Sequence, residues 1–62
     1  MKFRIIRDYD EYQPQVLVEI DGDDPYWTNI GYSTYEFIES AEEVCHRYKR
    51  MMEDPIVREF QL

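Results

Sequence analysis

Ser40-Ala41-Glu42-Glu43-Val44-Cys45-His46-Arg47-Tyr48-Lys49-Arg50-Met51-Met52 is the stretch whose reading decides the fold. Ala41, Val44, Cys45, Tyr48, Met51 and Met52 recur at helical spacing and make one apolar stripe, so the stretch reads as an amphipathic helix. Ser40 and Glu43 have the spacing of a capping box, in which the hydroxyl takes an early amide and the carboxylate reaches back. Acids fill the first turn and Arg47, Lys49 and Arg50 the last, as the helix dipole favours, and Pro55 stops the helix. Its start is open between about 34 and 40. Phe37 and Ile38 extend the stripe backward, and Ser33 with Glu36 offers a second capping box.

Outward from the helix the chain reads as strands. Lys2-Phe3-Arg4-Ile5-Ile6-Arg7 mostly alternates, with Phe3 and Ile5 on one side and Lys2 and Arg4 on the other. Asp8 to Gln13 is polar, and Pro14 follows it, so a turn is expected there. Gln15-Val16-Leu17-Val18-Glu19-Ile20 is the second strand, with Val16, Val18 and Ile20 sharing a face. Uniting the two apolar faces sets Phe3 opposite Ile20 and Ile5 opposite Val18. On the outer face the same register sets Arg4 opposite Glu19 and Lys2 opposite Asp21. Asp21-Gly22-Asp23-Asp24-Pro25 is a turn, and a third strand runs from Tyr26 to about Tyr32, weakened at Gly31. Ile56-Val57-Arg58-Glu59-Phe60 reads as a short closing strand. The expected class is α+β: a single domain, 1–62, with a mainly antiparallel β-β-β-α-β sheet and one helix packed on one face.

A chain of 62 residues holds one domain, and one this short buries only about 60% of its unfolded surface. Six Tyr, three Phe and one Trp are more rings than so small a core hides, so some are expected at the surface, where Tyr and Trp favour interfaces. One cysteine, Cys45, makes no internal disulfide, which fits a reducing compartment. No apolar run has the length of a signal peptide or a membrane span, and the expected location is intracellular, in the cytoplasm.

Charge is segregated along the chain. Residues 8 to 43 contain eleven Asp and Glu and no Lys or Arg, and the formal net charge is -7. Such a balance speaks against direct binding to nucleic acid and against docking on anionic membranes. It suits a basic protein partner, because charge speeds encounter and aromatic rings anchor the contact. The candidate partner-binding residues are Asp8, Asp10, Glu11, Asp21, Asp23, Asp24, Tyr26, Trp27, Glu36 and Glu39. Tyr9, Tyr12, Glu42 and Glu43 are interleaved with them or adjoin them. One class of basic partner is a nuclease or polymerase whose groove normally holds DNA or RNA. The alternative is a structural or assembly protein that forms a homodimer through a sheet edge, its acidic face serving solubility only.

Reaction chemistry finds no footing. Counting from Asp21, the twelfth position is Tyr32, so the loop fails the calcium pattern. Cys45 and His46 are adjacent on a helix and point about 100° apart, and there is no further Cys or His to complete a zinc site. A carboxylate pair needs a pocket that separates its pKa values, and one helix on a small sheet leaves little volume for that. Gly22 and Gly31 are the only glycines, so a phosphate-binding glycine loop is absent. The expectation is no enzyme, no metal and no cofactor.

The order of short phrases resembles small proteins of bacteriophages and prophages. These phrases are the basic-aliphatic opening Lys2-Phe3-Arg4-Ile5-Ile6, the step Tyr12-Gln13-Pro14-Gln15, and the Trp-centred Trp27-Thr28-Asn29-Ile30-Gly31. Ser40-Ala41-Glu42-Glu43 and the closing Asp54-Pro55-Ile56-Val57 complete the set. Some small acidic phage proteins block host enzymes or defence nucleases, CRISPR effectors among them, and several do so as nucleic-acid mimics. The resemblance implies an inhibitor of this kind and assigns no residue a role.

Overall fold

The computed structural model describes residues 1–53 and 59–62. It is an α+β fold: strands β1 (Phe3–Asp8), β2 (Glu11–Val18) and β3 (Tyr26–Asn29) form one antiparallel sheet in the order β1-β2-β3, and helix α1 (Ile38–Glu53) packs on it. The closing strand expected at Ile56–Phe60 falls mostly outside the described residues.

The hairpin differs from the sequence reading. Phe3 faces Val16, Arg4 faces Gln15 and Ile5 faces Pro14, and β2 begins at Glu11 rather than Gln15. The turn is only Tyr9-Asp10, so Glu11 to Pro14 belong to the ladder. The expected pairs of Arg4 with Glu19 and Lys2 with Asp21 are therefore not made. Relative to the expected register the pairing has moved by four residues. Because four is even, Phe3, Ile5, Val16 and Val18 still share one face.

Pro14 explains why the strand runs this far. Leu17 donates its backbone N–H to the Lys2 carbonyl (2.9 Å), and bonded pairs alternate along an antiparallel ladder, so Gln15, Gln13 and Glu11 also bond toward β1. Pro14 faces the other way, toward β3, which ends at Asn29, so the ladder asks no N–H of it. Ile30 donates to the Pro14 carbonyl (3.0 Å), Gly31 turns the chain outward at φ 73°, and the chain rejoins β2 where Tyr12 and Tyr35 exchange backbone hydrogen bonds of 2.7 and 2.8 Å. A proline in a central strand is tolerated because the neighbouring strand leaves at that point. For the same reason β3 stops at Asn29, short of Tyr32.

The Tyr12–Tyr35 bridge also fixes where the helix starts. Tyr35 is held extended, so the first turn cannot begin at Thr34. The Phe37 carbonyl accepts from Ser40 (3.1 Å) and Ala41 (3.4 Å) instead. Ser40 is thus the third residue of α1 and not its cap, and Glu43 pairs with Arg50 at 3.7 Å. Neither expected capping box sets the start.

Helix and sheet meet through Val16, Ala41, Cys45 and Pro14, which are buried, and Phe3, Ile5, Val18, Val44 and Tyr48, which are half-buried. The Phe3 and Tyr48 rings meet edge to face, with centroids 6.1 Å apart. The apolar stripe holds from Ala41 to Tyr48, but Met51 and Met52 in the last turn are exposed. The molecule extends 49 × 32 × 16 Å, and its radius of gyration is 14.1 Å. A compact chain of this length is expected near 10.6 Å.

Candidate functional site

The candidate carboxylates fall into two groups. Asp8, Asp10 and Glu11 occupy the β1–β2 hairpin end. Glu36 joins them, since Tyr35 is bridged to Tyr12 and Thr34 Oγ1 donates to Glu11 Oε2. Glu39 follows in the first turn of α1. Asp21, Asp23 and Asp24 lie with Tyr26 at the opposite end of β2. That loop closes on a bond from Asp23 to the Ile20 carbonyl (3.0 Å), with Gly22 at φ 88° in the third position, as a type II turn requires. From Glu11 to Val18 the central strand is about 24 Å long, against a screening length of about 8–10 Å at ordinary salt. The two groups therefore act as separate patches. Trp27 belongs to neither, because its ring stacks against the Arg4 guanidinium.

The hairpin end is locally unfavourable in two ways. Asp8 and Glu11 are directly opposed across the ladder, an arrangement of like charges that costs stability. Between them Tyr9 has φ 59° and is 93% exposed. A positive φ at the first residue of a two-residue hairpin belongs to a turn that normally takes glycine, and a side chain there costs roughly 1–2 kcal/mol. Arg7 is the basic residue closest in sequence. It donates from Nη2 to the Tyr12 hydroxyl (3.1 Å) and lies 5.5 Å over that ring. The described ion pairs are Lys49–Glu53 at 3.6 Å and Arg50–Glu43 at 3.7 Å, both exposed and both within α1. They leave the hairpin carboxylates uncompensated among the described residues.

The sequence reading missed the organisation of the helix-free sheet face. Arg4 Nε donates to Gln15 Oε1 (2.7 Å), and Gln15 Nε2 donates to Asn29 Oδ1 (2.7 Å), a polar rung across all three strands. The Arg4 guanidinium stacks 4.3 Å over Trp27. Gln13, also buried, donates from Nε2 to the Pro14 carbonyl (3.0 Å). Alternation alone would have put Arg4, Gln13 and Gln15 on one face, but the rung became visible only with the correct register.

A shallow groove of about 310 Å³ between α1 and β1 is lined by Phe3, Arg4, Ile5, Glu42, Cys45 and His46. Cys45 and His46 both reach it. Burial, and then the Glu42 charge, push the Cys45 thiol above its ordinary value, so it stays protonated at neutral pH. A nucleophilic cysteine needs the opposite shift. Among the described residues no three His, Cys, Asp or Glu side chains gather as a metal site, and no helix is long and apolar enough to cross a membrane. Comparison with protein families, curated proteins and solved structures finds no match, so the geometry of the chain carries the functional argument.

Proposed function

We propose that this chain is a non-catalytic protein-binding module whose hairpin end docks on a basic protein surface. The observation that carries this reading is Tyr9, exposed and strained between directly opposed carboxylates. Strained backbone persists where the surroundings enforce it, and it concentrates at binding and catalytic positions. A Tyr side chain has only two torsions to fix on contact, and the surrounding negative field speeds encounter with a basic partner. In its specific form the reading is occlusion: a phage-type inhibitor filling the nucleic-acid groove of a host or defence enzyme. Glu36 and Glu39 widen the contact, and Asp21, Asp23 and Asp24 supply a second, weaker one.

The test is capture from bacterial lysate at low and high salt, with three forms of the protein. The wild type should retain a basic protein at low salt and release it at high salt. Tyr9→Ala with Asp10→Lys should lose most of the capture, and Asp23→Lys with Asp24→Lys should keep the larger part. Equal capture by all three forms would remove the hairpin from the binding surface.

A further inference from the structure

We infer that β1 is a homodimerisation edge, through which two copies pair antiparallel about a two-fold axis at Ile5. The inference does not rest on the hairpin-end reading, although the two share Asp8. It starts from the backbone. The even-numbered residues of β1 bond inward to β2, so the N–H and C=O groups of Phe3, Ile5 and Arg7 point outward, and among the described residues nothing pairs with them. An exposed strand edge of this kind is a template for another strand. The outer edge of β3 offers only Trp27 and Asn29 in this way, and the strand is four residues long. Short edges resist pairing.

The side chains of β1 select a second copy and a register. With Ile5 opposite the partner's Ile5, Phe3 faces the partner's Arg7 and all three outward residues of each strand bond, giving six backbone hydrogen bonds. Lys2 then stands opposite the partner's Asp8, and symmetry makes that opposite-charge pair twice. Sliding by two residues in one direction sets Arg4 against the partner's Arg4. Sliding in the other direction brings Phe3 against the partner's Tyr9, inside the turn, and loses two of the bonds. The strand is therefore self-complementary in one register.

Closure also uses the face above the strand. A two-fold axis perpendicular to the sheet yields six continuous strands with both helices on one side. Because α1 packs on both β1 and β2, and strands lie about 4.8 Å apart, two helices set between those strands would stand about 10 Å apart, an ordinary packing distance. The groove lined by Phe3, Ile5 and Cys45 would then meet its symmetry mate and be covered.

Sedimentation equilibrium of the full chain from about 1 to about 500 µM tests this, with folding followed by circular dichroism. Wild type should show a concentration-dependent dimer. Lys2→Asp and Asp8→Lys should each raise the dissociation constant about tenfold, and the double swap should restore it. Ile5→Pro removes an outward N–H and no bond to β2, though it also loses the half-buried Ile5 side chain; with folding verified by circular dichroism it should be a monomer. A wild type monomeric throughout would overturn the inference, and so would a dimer that neither the charge swap nor Ile5→Pro disturbs.

Discussion

Tyr9 and Asp10 show how one residue can oppose the fold that holds it. Neither Asp8-Tyr9-Asp10-Glu11 nor its composition carries the glycine that a tight hairpin favours, yet a two-residue turn forms there. The gain is a longer ladder: Glu11 to Pro14 become paired strand, and that pairing outweighs one residue at positive φ. Tyr9→Gly should therefore stabilise the free domain by roughly 0.5–1 kcal/mol, a rise in melting temperature of several degrees for a chain this short. The same variant should capture less partner, since the ring is gone. Thermal melts and the capture assay together check it. A variant that melts lower than wild type would show that Tyr9 contributes to the fold and is not strained for binding.

Among the elements, α1 has the narrowest tolerance. Ala41 is 0% exposed and sits one turn before Cys45, where the helix meets the sheet. A larger side chain at this fully buried point has to displace packed neighbours. Ala41→Leu should cost about 1–3 kcal/mol through overpacking, read as a lowered midpoint in urea with the slope unchanged. An unchanged midpoint would place a gap beneath the helix. The apolar stripe made this helix legible in the sequence. Its start was not legible, because two capping boxes competed and neither decided. A backbone bridge between Tyr12 and Tyr35, far apart in sequence, fixed it instead.

At the scale of the whole molecule, charge and core are out of balance. Fourteen acids face seven bases, and among the described residues only a few side chains are buried. Self-repulsion weakens such a domain, and salt screens it. Raising NaCl from about 50 to about 500 mM should raise the melting temperature of the free protein by a few degrees while it weakens docking on a basic partner. Opposite signs in these two measurements distinguish repulsion within the molecule from attraction between molecules. A melting temperature that falls with salt would mean that attractive ion pairs dominate.

The sequence by itself determined the class of the fold, the helix and its packing stripe as far as Tyr48, the faces of the strands and the excess of acid. Each of these follows from local periodicity or composition, and a slip of four residues leaves period-two faces intact. Tertiary structure alone decided the hairpin register, the tolerance of Pro14 in a central strand, the first residue of α1 and the division of the carboxylates. These depend on which backbone donors and acceptors meet across space. A missing N–H opposite a departing strand cannot be weighed until that strand is placed, and charges adjacent in sequence separate once a strand of about 24 Å lies between them.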